Sequence, residues 1–308
     1  MTEYHKPVLL KEAVDGLVVS PSGIYVDVTF GGGGHTREIL KRLAKHGKVV
    51  ALDRDADALE EIEDDPRLTV VKGNFRYLRR YLRLLGIHKV DGILADLGVS
   101  SHQFDEAARG FSYRSPGEVG GEQDDPILDM RMSQAGIFTA GELLLTYPET
   151  ELVRIFSEYG EVRNSKTLAK AIIEKRKHVR IDRTAAFMRI LETLAIGSRL
   201  RYFSQVFQAL RIEINQELDA LNALLEDAVR VLKPDGRLVV ISYHSLEDRL
   251  VKNMLKCGNT AGIEVKDDFG RSESDFFAIT KKPVEPNEEE VKLNPRARSA
   301  KLRIGQKQ

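Results

Sequence analysis

Residues 25–36 read YVDVTFGGGGHT, an apolar run that passes into four consecutive glycines and then into a helical pattern. The run Ile24–Val28 predicts a β-strand, and Thr36–Lys45 predicts a helix. A strand, a glycine turn and a helix in this order are typical of a nucleotide-type cofactor site, because the backbone must turn tightly and let a ligand approach. A second apolar run, Lys48–Leu52, ends in Asp53, whose carboxylate can accept both hydroxyls of a ribose. We therefore expect an adenosine-containing cofactor.

The glycine spacing distinguishes between two such cofactors. The dinucleotide pattern G-x-G-x-x-G fails in both registers, since its third glycine falls on Thr36 or Arg37. That glycine permits close packing of helix and strand around a pyrophosphate, which S-adenosylmethionine lacks. Asp27, four residues before Gly31, can organise the loop and face the ammonium group of that cofactor. The alternative is an ordinary glycine-rich turn, which the acid at the end of the second strand disfavours.

The composition narrows the class of protein. The chain has 308 residues, 42% of them hydrophobic, enough for one large domain or two smaller ones. It has no run of 18 apolar residues and no signal peptide, so we expect a soluble, cytoplasmic protein without a membrane partner. The single Cys257 excludes an internal disulfide and a multi-cysteine zinc site. The seven histidines show no metal-ligand spacing, and we expect no metal.

The charges are unevenly distributed although the net charge is zero. Basic residues concentrate in residues 163–201, in residues 72–83 and in the tail from Lys292 to Lys307. One such cluster is most simply a solvated helix face. Three clusters on a neutral protein favour a surface that faces a polyanion, and we expect a nucleic-acid partner.

Alternating strand and helix patterns from Ile24 to about Ser100 predict an α/β domain with a mostly parallel sheet. The further predicted elements of this part are strands at Leu68–Lys72 and Gly92–Ala95 and helices at Ala56–Ile62 and Phe75–Leu85. A loop-like stretch, 106–134, and a purely helical one, 139–201, then interrupt the alternation. After them we predict one long helix at Phe203–Leu232, a buried strand at Arg237–Tyr243 and an antiparallel pair at Phe276–Lys281 and Ser299–Ile304. The predicted domains are thus 1–105, an inserted helical domain at 106–201, and 202–308.

Polar residues follow two of the predicted strands. The fourth strand ends in Asp96–Ser101 and the fifth runs into Tyr243–Arg249. Ligands of open parallel sheets bind at the carboxyl ends of the strands, so both segments are expected beside the glycine loop. Asp96 can orient an exocyclic amine and accept charge as an N–C bond forms, or it is a turn or cap acid.

His244 has three possible roles on the residues alone. It can be a base, a substrate contact or a structural histidine, and the structural role is favoured. Glu247 and Asp248 can cap the helix predicted to begin near Ser245.

Nine motifs occur in order along the chain: His5-x-Pro7, Asp27–His35, Asp53–Asp55, Asp96–Ser101, Arg109–Tyr113, Leu128–Met132, Phe207–Arg211, Ser242–Arg249 and Asn294–Ser299. Together they resemble the RsmH (MraW) family of bacterial 16S rRNA cytosine-N4 methyltransferases. The resemblance covers His5 to Arg303. It implies a class I S-adenosylmethionine-dependent methyltransferase fold, Rossmann-like, with an inserted helical domain that recognises the substrate.

The resemblance also implies a reaction and a set of site residues. The expected acceptor is the exocyclic N4 of a cytidine in the decoding region of 16S rRNA, and the expected partner is 16S rRNA or the small ribosomal subunit. Cofactor contacts are expected at Gly31, Gly32, Gly33, Gly34, His35, Asp53, Phe75, Asp96 and Gln103. Of these, His35 and Gln103 come from the resemblance alone. For catalysis we expect Asp96, helped by Ser100 and Ser101 or by His244.

Two segments depart from the family pattern, and some alternatives stay open. The segment 115–127 is longer than in the family, and the segment 202–206 lacks a basic residue that the family has. Both segments lie toward the expected RNA side, and neither touches the cofactor prediction. The alternatives are a methyltransferase of the same fold that acts on another nucleic acid or a small molecule, and a non-catalytic S-adenosylmethionine-binding assembly factor. The oligomeric state is not fixed by the sequence, and a homodimer is one alternative.

Overall fold

The computed structural model describes residues 7–55, 64–98, 109–111, 125–133, 136, 138–265 and 274–308. The chain divides into two compact units, which we call the sheet unit (1–98 and 218–308) and the helical unit (99–217). The insertion therefore ends at Glu217 and not at the predicted residue 201, because helix Arg199–Asn215 supplies Tyr202, Val206 and Leu210 to the helical core. The predicted boundary at residue 105 lies outside the described residues.

The sheet unit contains seven described strands: β1 Ile24–Asp27, β2 Lys48–Asp53, β3 Leu68–Lys72, β4 Val90–Asp96, β5 Leu232–Ser242, β6 Phe276–Ala278 and β7 Lys301–Lys307. They form one sheet in the order β3-β2-β1-β4-β5-β7-β6. The first five are parallel, and β7 runs antiparallel to both β5 and β6. The predicted parallel sheet and its closing antiparallel pair are therefore confirmed.

Helices of the sheet unit cover both faces of this sheet, and other helices form the helical unit. In chain order the described helices are α1 Leu10–Leu17, α2 Gly34–Arg42, α3 Leu78–Leu84, α4 Ala140–Thr146, α5 Glu149–Glu158, α6 Ser165–Lys175, α7 Thr184–Leu194, α8 Arg199–Asn215, α9 Glu217–Val231, α10 Ser245–Cys257 and α11 Glu288–Leu293. Short 3₁₀ turns occupy Phe75–Tyr77 and Pro295–Ser299. The predicted helix Ala56–Ile62 lies outside the described residues, and α1 and α11 were not predicted.

The neighbouring strands β1, β2 and β4 are mainly apolar because both of their faces are buried. Successive side chains of β4 point to opposite faces, so Ile93 packs with Leu82 of α3 and Leu94 packs with Leu17 of α1 in two separate cores. Helices α9 and α10 contribute to the first core and α2 contributes to the second. Helices packed on both faces hold the strands in position. The loops at the carboxyl ends of the strands can then form a site.

The helical unit has its own core, which the five helices α4 to α8 supply together with Phe111 and Leu128–Met132. Thr139 and Glu142 form a reciprocal capping box that starts α4. The prediction of one helix at Phe203–Leu232 is wrong, because Gln216 adopts a left-handed conformation (φ 49°) that ends α8 before α9 begins. Arg211 binds Glu217 through Nε and Nη2 at 3.0 and 3.1 Å across this break.

None of the described helices combines the length and the apolar character needed to cross a membrane.

Candidate active site

Three acids stand at the carboxyl ends of neighbouring parallel strands: Asp27 on β1, Asp53 on β2 and Asp96 on β4. The order β2-β1-β4 and the parallel registers bring these strand ends to one edge of the sheet. Each acid was singled out by its position after an apolar run. The contacts of the three side chains differ, and they give each acid a different role.

Asp27 is a structural anchor of the glycine loop. Its side chain is buried, and its Oδ2 accepts a 2.7 Å hydrogen bond from Thr36 Oγ1 in the first turn of α2. Its Oδ1 accepts a 3.1 Å bond from the backbone N–H of Thr29. Burial raises the pKa of Asp27, while the charge of His35 and these hydrogen bonds oppose that rise. The carboxyl group therefore ties both ends of the loop between β1 and α2.

The glycine loop is held by Asp53 from the next strand. The backbone N–H of Gly31 donates to Asp53 Oδ2 at 2.8 Å, and Asp55 N–H donates to Oδ1 at 2.9 Å. Gly31 and Gly33 have φ values of 49° and 71°, which side chains with a Cβ rarely adopt. Burial raises the pKa of Asp53, and the two N–H donors counteract it by favouring the charged form. The acid predicted to bind a ribose thus also shapes the loop.

Gly34 and His35, two further predicted cofactor residues, also pack against the N-terminal segment. A Cβ on Gly34 would overlap the ring of Pro7, so the glycine allows the N-terminal segment to approach the start of α2. His35 is buried, and its Nε2 lies 3.2 Å from the carbonyl oxygen of Val8. A carbonyl only accepts, so Nε2 carries a hydrogen and Nδ1 is the nitrogen with the free lone pair in the neutral ring. That Nδ1 lies 3.8 Å from Oδ2 of Asp96.

Asp96 has a raised pKa and one oxygen that accepts no hydrogen bond from the described residues. Its side chain is 22% exposed, and burial raises its pKa from 3.8 to about 6, opposed by the charge of His35 and by a hydrogen bond from Tyr243. The Tyr243 hydroxyl donates to Oδ1 at 2.8 Å. The Asp96 backbone N–H donates to Thr29 Oγ1 at 2.7 Å, which joins β4 to the glycine loop. Among the described residues, Oδ2 receives no hydrogen bond and is available to a ligand.

Tyr243 and Thr29 were not predicted as site residues. Tyr243 directly follows β5, and burial raises the pKa of its phenol well above 10, so the hydroxyl stays protonated near neutral pH and can donate to a carboxylate. The sequence could have indicated Tyr243, because ligands bind at the carboxyl ends of parallel strands and Tyr243 follows β5 as directly as Asp96 ends β4. Thr29 lies in the glycine-loop motif but gave no separate signal.

His244 sits at the N-terminus of α10, where its Nδ1 accepts a hydrogen bond from the Glu247 backbone N–H at 3.4 Å. Its Nε2 lies 3.2 Å from Glu247 Oε1. The other Glu247 oxygen, Oε2, accepts from the backbone N–H of Tyr243 at 2.9 Å. His244 is therefore the helix cap, and the prediction that Glu247 and Asp248 cap this helix needs correction: Asp248 instead pairs with Arg303 at 2.6 and 3.0 Å.

The remaining predicted residues fall into two groups. Phe75 begins the 3₁₀ turn after β3 and packs, partly buried, against the core shared with α3. Gly32 is exposed at the tip of the glycine loop. Ser100, Ser101 and Gln103 lie outside the described residues.

The residues present fit an adenosine cofactor. Beyond adjacent residues, a Cβ built on Gly31 would meet its nearest atom, Thr29 O, at 4.0 Å, so the loop leaves room for a ligand. Each oxygen of Asp53 accepts one backbone N–H, and a carboxylate oxygen has two lone pairs. Both oxygens therefore keep a lone pair for a ribose hydroxyl.

Known proteins resemble this chain over its whole length. The model of the MraW methylase family matches residues 2–308. A protein of Bacteroides fragilis named Ribosomal RNA small subunit methyltransferase H is 50% identical over 307 residues, which cover 99% of this chain and 98% of that protein. A protein of the same name from Cytophaga hutchinsonii is 51% identical over 308 residues, covering 99% and 100%. Among solved structures, fibrillarin of Aeropyrum pernix with natively bound S-adenosyl-L-methionine has a TM-score of 0.36 and 9% identity over 94% of this chain and 70% of that chain.

The family match and the strand order confirm three predictions: the family, the class I S-adenosylmethionine-dependent methyltransferase fold, and S-adenosylmethionine as the cofactor. The low structural similarity to fibrillarin adds nothing to them. With a family model that spans residues 2–308 and relatives about half identical from end to end, the chain belongs to the MraW methylase family.

Proposed function

We propose that the protein methylates the exocyclic N4 of a cytidine in the decoding region of 16S rRNA, with S-adenosylmethionine as methyl donor. The observation that carries this proposal is Asp96. It stands at the carboxyl end of β4, joined to the glycine loop through Thr29, with one carboxylate oxygen oriented by Tyr243 and the other available. The names of the two relatives, which specify small-subunit ribosomal RNA, support the choice of acceptor.

The glycine loop and Asp53 would hold the cofactor. Asp53 would accept the ribose hydroxyls with its remaining lone pairs, Phe75 would lie beside the adenine, and the exposed Gly32 would let the backbone approach the ligand. When bound, S-adenosylmethionine supplies a methyl group on a positively charged sulfur, and S-adenosylhomocysteine remains after transfer. The N–H groups that hold Asp53 favour its carboxylate form, which is the form that binds hydroxyls.

Asp96 would orient the acceptor amine. The lone pair of a cytosine N4 is delocalised into the ring, which makes the amine a weak nucleophile. A carboxylate that accepts one N4–H bond holds the amine in place and withdraws its proton as the new N–C bond forms. Asp96 Oδ2 is the candidate acceptor because Oδ1 is already occupied by the Tyr243 hydroxyl.

The proton removed from N4 has a defined first destination. One proton leaves the amine for each methyl group that arrives, and Asp96 takes it. With a pKa of about 6, the carboxyl group is mostly ionised at neutral pH and is still basic enough to accept a proton. His35 Nδ1, 3.8 Å from Oδ2, stabilises the ionised form when the ring is charged.

The helical unit would bind the RNA around the target. A base inside a helix is unreachable, so the cytidine must leave its stack to bring N4 to Asp96. The helical unit carries an exposed basic set that would bind phosphates: Arg163, Lys166, Lys170 and Arg189. Phosphate contacts position an RNA, and Asp96 would contact the base.

Nucleoside mass spectrometry of small-subunit rRNA tests the function directly. We expect N4-methylcytidine to disappear from 16S rRNA when the gene is deleted, to return with the wild-type gene and to stay absent with Asp96→Asn. An unchanged level on deletion would refute the acceptor. Loss of another modification would favour a different nucleic-acid position, and full complementation by Asp96→Asn would favour a non-catalytic assembly factor.

A further inference from the structure

We infer that the sheet unit carries a second RNA-binding surface, the arginine face of α3, formed by Arg79, Arg80 and Arg83. This inference rests on the proposed RNA substrate and adds where the sheet unit would bind it. The occupant we assign is the sugar–phosphate backbone of the RNA that flanks the target cytidine. The relatives' names and the Asp96 site say nothing about this helix, which contributes no side chain to the acids at the sheet edge.

The three arginines share one side of a short amphipathic helix. At about 100° per residue, positions 79, 83 and 80 project within a sector about 100° wide. A different side of the helix is occupied by Leu78 and Leu82, which are 0% and 1% exposed and pack in the core of the sheet unit. All three arginines are exposed. Packing therefore fixes the orientation of the helix and holds the guanidinium groups toward solvent.

Among the described residues, no acid neutralises the charge of this face. Within the described part of the chain, no acidic group forms an ion pair with the guanidinium of Arg79, Arg80 or Arg83. Two acids of α9 that contact this region have other partners. Asp219 pairs with Arg76 at 3.6 Å, and Asp227 accepts from the backbone N–H of Arg79 at 3.1 Å and contacts Arg230 at 3.6 Å.

Some other exposed arginines in the described part of the chain are paired with acids. Arg180 pairs with Asp182, and Arg199 pairs with Glu192 at 2.7 Å. Three arginines without such partners on one helix face make a local positive field in a protein whose net charge is zero. Residues three or four apart on a helix lie about 5–6 Å from each other, so the guanidinium groups can engage successive phosphates of one strand.

An exposed aromatic and the position of the helix favour RNA over another polyanion. Tyr77 is 49% exposed and precedes Arg80 by one helical turn, and aromatic side chains among arginines are typical of surfaces that bind unpaired nucleotides. Helix α3 follows β3 through the turn that begins at Phe75, at the carboxyl edge of the sheet. RNA that leaves the site along this edge would therefore meet the arginine face directly.

The test compares two triple variants of the full chain. Arg79→Gln/Arg80→Gln/Arg83→Gln removes the arginine face. The matched control, Lys11→Gln/Lys45→Gln/Lys48→Gln, removes the same charge from exposed positions on α1, after α2 and at the start of β2. Binding of each protein to a labelled 16S rRNA decoding-region fragment is measured by fluorescence anisotropy over a range of KCl concentrations, and S-adenosylmethionine affinity is measured by calorimetry.

We expect the arginine variant to bind the RNA at least about tenfold more weakly at low salt. The slope of log affinity against log salt should become shallower by about 2, since each lost phosphate contact removes about 0.7–0.9. S-adenosylmethionine affinity should match wild type, which shows that the variant is folded. The lysine control should keep the wild-type slope.

Four outcomes would overturn the inference. If the arginine variant keeps the wild-type slope of log affinity against log salt, only this inference is refuted and the proposed methylation stands. If both triple variants lose the same RNA affinity, the effect comes from net charge and not from this face. Normal binding to naked RNA with weakened binding to the small subunit assigns the face to a ribosomal protein. Wild-type protein that shows no salt-dependent RNA binding refutes the proposed function together with the inference.

Discussion

The ends of β2 and β4 carry the same residue type in two different environments. Asp53 accepts two backbone N–H groups, from Gly31 and Asp55, at 2.8 and 2.9 Å. Asp96 accepts one side-chain hydroxyl, from Tyr243, and faces His35 Nδ1 at 3.8 Å. Burial raises the pKa of both acids, and for Asp96 it reaches about 6.

The difference shows how one sheet edge supports both binding and chemistry. Backbone donors cannot move away or titrate, so they favour a permanent carboxylate at Asp53, which suits ribose binding. A single phenol donor leaves Asp96 with one available oxygen and a pKa close to neutral, which suits proton transfer. The two acids should therefore respond differently to substitution.

Asp96→Asn should give the largest effect. The amide keeps an oxygen for Tyr243 but cannot take a proton, so we expect kcat to fall by about 10²- to 10⁴-fold. S-adenosylmethionine affinity should fall far less than kcat, because Asp53 and the glycine loop are intact. Single-turnover methylation of the rRNA fragment and calorimetry measure the two quantities. Near-normal turnover would remove Asp96 from the chemistry.

Asp53→Ala should show the reverse pattern. The substitution removes the ribose acceptor and leaves the Gly31 and Asp55 N–H groups without their carboxylate, at about 1.5–3 kcal/mol for a charged hydrogen bond. We expect the Kd for S-adenosylmethionine to rise about 10- to 100-fold, with kcat at saturating cofactor within about threefold of wild type. Wild-type cofactor affinity would show that the ribose assignment is wrong.

The third prediction concerns stability. The folded-state pKa of Asp96 lies above its ordinary value of 3.8, so the native protein binds a proton more tightly than the unfolded chain. By linkage, wild-type stability falls as the pH rises from about 4 through about 6. Asp96→Asn removes this penalty and should raise the free energy of unfolding at pH 8 by about 1–3 kcal/mol. The gain should shrink below pH 4. Urea titrations at both pH values measure it, and a variant less stable than wild type at pH 8 would contradict the burial argument.

Tyr243→Phe should have the smallest effect. It removes one hydrogen bond to the carboxylate and leaves the ring in place, so we expect kcat to fall about 5- to 20-fold. The hydroxyl favours the ionised form of Asp96, so its loss should move the acidic limb of the kcat profile to higher pH. A lower kcat with an unmoved acidic limb would indicate a packing role for Tyr243 and no positioning of Asp96.

The sequence predicted residues whose position follows from local rules. The glycine loop, Asp53 and Asp96 each follow an apolar strand, and the carboxyl-edge rule selects them without coordinates. The sequence did not predict the hydrogen bonds of Asp96 with Thr29, 67 positions away, and with Tyr243, 147 positions away. Hydroxyl side chains carry no spacing signal over such distances. The break at Gln216 was missed for a similar reason. No glycine or proline marks it, although Gln216 adopts a left-handed conformation there.

The pH dependence of single-turnover methyl transfer tests the account most directly, with wild-type protein saturated in both substrates. If ionised Asp96 accepts the N4 proton, the rate should be flat at neutral and mildly alkaline pH and should fall about tenfold per pH unit below an apparent pKa of about 6. Asp96→Asn should lack this limb at its much lower rate. A wild-type rate that is unchanged between pH 5 and 8, or an acidic limb that persists in Asp96→Asn, would contradict the central role of Asp96.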